Sequence, residues 1–252
     1  MYDSPQLELL YRNGPMPDID AQAAPGQHYS SRIQFFGDYI ILRVPKFRAV
    51  LDAGCATGFF GAILKEHRPD LIYTGLDPSA ALLALGRETF GPDLRLVRGR
   101  IEQLPIKENG PQIVLCAGTL WYCPDVPNAI YHLYRAASRM LFADIVFLPD
   151  RDHGVITTQR VAGLEQQVTL FGNKDMVALL SALDKAHPFK DLREGHRFMH
   201  YPVDPEAAGL HELRGEAVQG FCAVFEKRIS EKFTDIFNRL AADQPGPGDP
   251  AQ

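Results

Sequence analysis

Apolar and polar positions change rhythm three times along the chain. Residues 1–28 carry a short apolar run (Leu7, Leu9, Leu10, Tyr11) and then Pro15, Pro17 and Pro25, the pattern of a small helix followed by an irregular arm. From Tyr29 to Val44 the apolar residues Ile33, Phe36, Ile40 and Val44 fall at helical spacing. Serines at the start suit a cap and Pro45 closes the run, which predicts a helix over 29–44 ahead of the first strand.

The next hundred residues alternate strand-like and helix-like segments. AVLDAG precedes FFGAILKEH, LIYTGLD precedes SAALLALGRETF, LRLVRG follows, and QIVLCAG, NAIYHLYRAASRM and LFADIVFL complete the series. Apolar β-branched runs separated by helices predict right-handed crossovers and a parallel sheet covered on both faces. After Pro149 the rhythm changes again. DRDHGVITTQRVAGLEQQ reads as polar, NKDMVALLSALDKA as an amphipathic helix with Asn173 at its start, and HRFMHYPV and FCAVFEKR as a closing antiparallel pair.

The fold predicted is therefore α/β and doubly wound, with a mostly parallel seven-stranded sheet, helices on both faces and an antiparallel closing strand. Residues 1–44 are expected to form an arm and the helix over 29–44. Residues 45–229 form the main domain with an insertion at about 149–215, and residues 230–252 a helix and a tail of disordered composition.

Composition narrows the function classes. With 26 Lys and Arg against 31 Asp and Glu the net charge is −5, which gives no overall attraction for nucleic acid or anionic membrane. The four cysteines, Cys55, Cys116, Cys123 and Cys222, make no CxxC pair and no metal-ligand spacing with histidine, as reduced thiols of a cytoplasmic protein would. No apolar run approaches the ~18 residues of a membrane span, and the first twenty residues lack the basic start and apolar stretch of a signal peptide. A cytoplasmic protein with no membrane and no nucleic-acid partner is the expectation.

The chemistry is concentrated in VLDAGCATGFFG, residues 50–61, where three glycines fall within eight positions at the end of the first predicted strand. Ligands of open parallel sheets bind beyond the carboxyl ends of the strands, where strand order reverses. A dinucleotide fingerprint needs glycine at 54, 56 and 59, and Ala56 and Phe59 break it. The spacing instead resembles motif I of the class I S-adenosylmethionine-dependent methyltransferases, an acidic residue followed by GxGxG: Asp52, Gly54, Ala56, Gly58.

Three further stretches carry the same resemblance, which covers roughly residues 48–148. Asp77 in YTGLDPSA stands where the family holds the adenosine ribose; the competing reading is a cap for the following helix, with Ser79 as rival cap. GRIEQLPI, residues 99–106, is similar to the loop beside the adenine. Arg100 replaces the usual aspartate there, leaving Ile101 to offer its amide and an apolar surface and Glu102 to accept, or to sit as a surface charge. QIVLCAGTLWYCPD, residues 112–125, is similar to the fourth strand and its loop, with Cys116, Ala117 and Gly118 toward the cofactor and Trp121 and Tyr122 over the transfer region.

The resemblance thus implies S-adenosyl-L-methionine as cofactor, S-adenosyl-L-homocysteine as product, and contacts from Asp52, Gly54, Cys55, Ala56, Gly58, Asp77, Pro78, Ile101, Glu102, Cys116 and Ala117. Asp52 is an electronegative neighbour for the sulfonium or a structural partner of loop amides. The helix over 29–44 resembles the capping helix that many small-molecule members of the family place over the cofactor, and its Tyr29 and Arg32 are candidates for the cofactor carboxylate or the acceptor, against a solvated arginine beside a core aromatic.

Methyl transfer from a sulfonium is an in-line displacement, so a base is needed only where the acceptor must lose a proton. Tyr122, a donor or orienting hydroxyl, and His153 are the catalytic candidates. Trp121, Tyr122, His196 and His200 are the substrate candidates, and each histidine, His28 included, has a surface role as its competing reading. The loop after the fourth strand, AGTLWY, lacks the Asn/Asp-Pro-Pro-aromatic motif of nucleic-acid amino-methyltransferases. Asp125 and Asp144 alone do not make a metal site, and no metal is predicted. A small metabolite or saccharide unit methylated on O or N is the reading favoured. A non-catalytic cofactor-binding or interaction module stands as the alternative, and a NAD-dependent reductase is a third.

Overall fold

The computed structural model describes residues 47–104, 111–161, 164–186 and 198–227. The arm, the helix expected over 29–44 with Tyr29 and Arg32, His196 and the C-terminal helix lie outside the described residues.

Five parallel strands come first: β1 (Ala49–Ala53), β2 (Ile72–Asp77), β3 (Arg95–Arg98), β4 (Ile113–Cys116) and β5 (Met140–Leu148). They pair in the order β3-β2-β1-β4-β5. The order reverses between β1 and β4, which opens a crevice at their carboxyl ends. Helices α1 (Phe59–His67), α2 (Ala80–Phe90) and α3 (Val126–Ala136) make the crossovers. Every residue of β5 is buried, as a strand covered on both faces requires.

Beyond β5 the sheet continues with antiparallel partners. β9 (Val218–Glu226) runs against β5 from Met140↔Glu226 to Phe147↔Gln219, and β8 (Phe198–Val203) runs against β9. The seven-stranded order β3-β2-β1-β4-β5-β9-β8 results, with β9 as the closing antiparallel strand that the sequence predicts.

Two strands exceed the prediction. Residues read as a polar stretch form the hairpin β6 (Val155–Val161) and β7 (Leu164–Gly172), and β7 meets β5 only at Phe147↔Phe171 and Leu148↔Gly172. The hairpin therefore hangs from the carboxyl edge of the sheet. Its alternation escapes a hydrophobic reading because it is inverted: Thr157 and Gln159 point inward and are buried, while Ile156 points out, 69% exposed.

One sheet face packs Leu51, Ala53, Val114, Cys116, Leu141 and Ala143 against α3 and against α4 (Asn173–Ala186) through Ile130, Leu133, Met176 and Leu183. The opposite face packs Val50, Tyr73, Leu115 and Phe142 with Ile63 and Leu64 of α1 and Leu83 of α2. A third cluster gathers Val146, Leu148, Val168, Leu170, Leu213 and Val218 under the hairpin, with Trp121 and Tyr122 at its border. No helix among the described residues is long and apolar enough to cross a membrane.

Candidate functional site at the carboxyl ends of β1, β2 and β4

The chain leaves β1 through a turn with three left-handed residues: Gly54 at φ 81°, Ala56 at φ 50° and Gly58 at φ 80°. Glycine enters that region freely, whereas a side chain is opposed by its own Cβ. Ala56 thus occupies a position whose backbone suits glycine. The space left by the missing side chains is used at once. A Cβ on Gly54 would stand 2.2 Å from Thr119 Oγ1, and one on Gly58 2.8 Å from Leu96 Cδ2. Gly54 brings the loop after β1 against the loop after β4, where Thr119 Oγ1 donates to the Gly54 carbonyl at 3.2 Å, and Gly58 brings it against Leu96 of β3.

Asp77, at the end of β2, organises this turn from the other side. Its Oδ2 accepts the Ala56 amide at 2.9 Å and its Oδ1 the Ser79 amide at 2.9 Å. The Gly54 and Cys55 amides donate to Leu76 O at 2.7 and 3.1 Å. The rivalry for the α2 cap is resolved in favour of Ser79, whose Oγ accepts from the Leu82 amide at 3.3 Å. Asp77 itself fixes the loop from both of its oxygens.

Asp52 is drawn the other way. Only 3% exposed, it accepts the Tyr73 hydroxyl at Oδ2 at 2.6 Å. Tyr73 reaches it because α1 carries glycine at position 61, where a Cβ would lie 2.3 Å from the ring. Burial pushes the Asp52 carboxyl up to about 7; the Tyr73 hydrogen bond opposes the rise and the charge of Asp77 adds to it. The partner that Asp52 takes is a phenol of the neighbouring strand, which neither reading of the sequence named.

Asp144 of β5 mirrors this arrangement. It is buried, accepts the Tyr201 hydroxyl at Oδ1 at 2.7 Å and the Gly118 amide at Oδ2 at 3.1 Å. Here too a glycine makes room: a Cβ on Gly220 would come within 1.9 Å of the Tyr201 ring. Asp52 and Asp144 both act electrostatically on the Cys116 thiol at the end of β4, which burial first of all holds well above its usual range. The sequence reading weighed Asp144 only as a metal ligand and missed its pairing. A glycine inside a strand, at 220, was the available signal of a close approach.

The remaining candidates divide. Cys55 and Cys116 are buried, Ala117 and Pro78 half-buried at the rim, and Arg98 Nε donates to the Pro78 carbonyl at 3.1 Å. Ile101 opens a 3-10 turn (Ile101–Gln103) with its side chain buried in the core, and Glu102 beside it is half-buried. Leu120–Tyr122 form a second 3-10 turn, with the Trp121 and Tyr122 rings edge to face at 5.4 Å. The Tyr122 hydroxyl donates to Gln159 Oε1 at 2.8 Å, and Gln159 Nε2 in turn donates to the Ala208 carbonyl at 2.8 Å. That chain ties the loop after β4 to the hairpin.

His153 stands with its side chain 74% exposed, 3.0 Å from Asp175 Oδ1. Asp175 also accepts the Gly154 and Gly172 amides. Burial pushes its carboxyl up, but His153 and the two amides outweigh this and hold it below the usual carboxylate range. His200 is exposed on β8 among Phe147, Phe198 and Phe221, with ring centroids 6.1, 5.8 and 5.0 Å away. Asp125 caps α3 by accepting the Asn128 amide at 3.1 Å. Among the described residues no group of three or more His, Cys, Asp or Glu is arranged to hold a metal ion.

Known proteins share this architecture. A family model described as a methyltransferase domain matches residues 50–139. A malonyl-[acyl-carrier protein] O-methyltransferase of Pectobacterium atrosepticum is 37% identical over 86 residues, 34% of this chain and 33% of that protein. The match therefore spans about a third of that relative's length. A trans-aconitate 2-methyltransferase of Deinococcus radiodurans is 25% identical over 212 residues, covering 79% of this chain and 81% of that protein. Among solved structures, the 1,6-didemethyltoxoflavin-N1-methyltransferase of Burkholderia thailandensis, with 1,6-didemethyltoxoflavin and S-adenosylhomocysteine bound, shares the fold. Its TM-score is 0.53 at 16% identity, over 89% of this chain and 86% of that one. With nearly all of β1, its glycine turn and the acidic end of β2 inside the matched stretch, residues 50–139 match a methyltransferase domain, and the chain shares the fold of a methyltransferase solved with S-adenosylhomocysteine bound.

Proposed function

We propose that the protein transfers the methyl group of S-adenosylmethionine to an oxygen of a small carboxylic acid. The observation that carries the cofactor part is the bonding of the Ala56 amide to Asp77, which joins the glycine turn of β1 to the acidic end of β2. A turn so held presents backbone close to a ligand at the switch point, with the Asp77 carboxylate beside it as the acceptor for the ribose diol.

The sequence left O and N acceptors, metabolites and saccharide units all open. Two observations favour a carboxylate. The relatives of Pectobacterium atrosepticum and Deinococcus radiodurans are named for malonyl and trans-aconitate methylation, and both name carboxylic acids. The described side chains also suit an acceptor that needs no base. Tyr122 commits its hydroxyl to Gln159, and His153 is engaged with Asp175 on an exposed turn. A carboxylate is already ionised at neutral pH, near a pKa of about 4, and attacks without giving up a proton.

When bound, S-adenosylmethionine supplies a methyl group activated by its sulfonium. The chain's own work is placement. Asp77 and the turn Gly54–Gly58 orient the cofactor, Thr119 keeps the β1 and β4 loops together, and Trp121 and Tyr122 with the hairpin wall the acceptor side from water. Positioning of this kind lowers the barrier by fixing an in-line approach.

The test is incubation with methyl-labelled S-adenosylmethionine and a panel of di- and tricarboxylic acids. Label released as methanol by mild alkali identifies an ester. Transfer only to amines or sugar hydroxyls would overturn the carboxylate assignment, and no transfer to any acceptor would overturn the activity.

A further inference from the structure

The pairing of Tyr201 with Asp144 lies outside the residues that touch the glycine turn, yet it ends on the loop that does. Tyr201 is on β8 opposite Gly220 of β9, and Asp144 is on β5 opposite Cys222 of β9. The Tyr201 ring lies over Gly220, and its hydroxyl crosses β9 to reach Asp144 Oδ1 at 2.7 Å. From Asp144 the connection continues through Oδ2 to the Gly118 amide at 3.1 Å. Gly118 is left-handed at φ 69°, and the next residue, Thr119, donates to the Gly54 carbonyl at 3.2 Å. An unbroken chain of hydrogen bonds and one peptide thus runs from the outer strand β8 to the first glycine of motif I.

We infer that Tyr201 and Asp144 are positioning residues for the cofactor site: they hold the loop after β4, and through Thr119 the glycine turn, in the shape that receives S-adenosylmethionine. This rests on the function proposed above. Gly118 has no side chain to pack and sits in a conformation open to glycine over a wide range, so its orientation depends on what its amide is bonded to. A buried carboxyl group fixed by a phenol on one oxygen holds its other oxygen in place as an acceptor for the Gly118 amide. Cys222 Sγ, 3.7 Å from Asp144 Oδ1, adds a weak third contact from below.

The experiment titrates S-adenosylhomocysteine into the full chain and into Tyr201→Phe, Asp144→Ala and Asp144→Asn, with thermal melting and amide hydrogen exchange measured on each. Tyr201→Phe keeps the ring over Gly220 and removes one oxygen. It is expected to weaken S-adenosylhomocysteine binding about tenfold and to speed exchange of the Gly118 amide. Asp144→Ala weakens binding further. Asp144→Asn recovers most of it, because its amide oxygen accepts from Gly118 and its NH2 donates to the Tyr201 hydroxyl. If Asp144→Ala does not fold, Tyr201→Phe and Asp144→Asn carry the comparison. A Tyr201→Phe protein that melts earlier but binds with wild-type affinity shows a structural role only and overturns the inference while leaving the proposed function standing. Wild-type protein that does not bind S-adenosylhomocysteine overturns both.

Discussion

Tyr73 lays its ring against Gly61 and donates its hydroxyl to Asp52 Oδ2 at 2.6 Å, so the acidic residue that opens motif I is held from β2, beneath the rim. This has a consequence for stability against pH. The folded pKa of Asp52, about 7, lies above its ordinary 3.8, chiefly through burial. Between those values the folded chain keeps a proton that the unfolded chain has released. The contribution of Asp52 therefore falls as pH rises from about 4 to about 7. Asp52→Asn removes the ionisation and flattens that loss, a difference on the order of a few kcal/mol. Denaturant midpoints of both proteins at about pH 4.5 and about pH 8 measure it, and identical pH dependence would contradict the assignment.

The glycine turn predicts opposite effects at neighbouring positions. Ala56→Gly relieves a left-handed alanine and is expected to leave stability unchanged or raise it by up to about 1 kcal/mol, the gain partly offset by greater freedom of the unfolded chain. Gly54→Ala places a methyl 2.2 Å from Thr119 Oγ1 in a backbone that disfavours it. It should cost at least about 2 kcal/mol and weaken S-adenosylhomocysteine binding more than tenfold. Thermal melting and calorimetry separate the two variants.

For Tyr122 the hydrogen bond to Gln159 predicts a role in anchoring the loop. Tyr122→Phe should lower stability by about 1 kcal/mol, since Gln159 loses a partner. The pH profile of turnover should keep its shape. A profile that loses a basic limb would instead identify Tyr122 as a titrating catalytic group.

The fold was legible where side chains follow the hydrophobic rhythm. The Val, Ile and Leu runs of β1, β4 and β5 are buried on both faces, and their alternation with helices is local information. The hairpin was not legible, because Thr157 and Gln159 take the inward positions and are satisfied by Glu212 and Ala208, which lie far along the chain. The spacing of Gly54, Ala56 and Gly58 marked a turn with three left-handed residues, and Asp77, which the resemblance singled out, is bonded to that turn. The phenol partners of Asp52 and Asp144 were hidden because they come from 21 and 57 residues away. Gly61 inside a helix and Gly220 inside a strand were the traces they left in the sequence, since each marks the place where a tyrosine ring passes.

Asp77 joins the cofactor reading to the loop architecture, and its substitution distinguishes them. Asp77→Asn retains one acceptor oxygen and an amide that repels one of the two N–H groups now bound. A loss of about 1–3 kcal/mol in stability follows from the loop role alone. The ribose role adds a loss of S-adenosylhomocysteine affinity of at least about tenfold, which adenine-free analogues lacking the ribose would not report.

The account stands on one site for one cofactor at the carboxyl ends of β1 and β2, and calorimetric titration of S-adenosylmethionine into the full chain measures it most directly. The prediction is saturable one-to-one binding that Gly54→Ala and Asp77→Asn weaken and Ala56→Gly preserves. Absence of binding to the folded wild-type protein, or binding indifferent to Gly54 and Asp77, would contradict it.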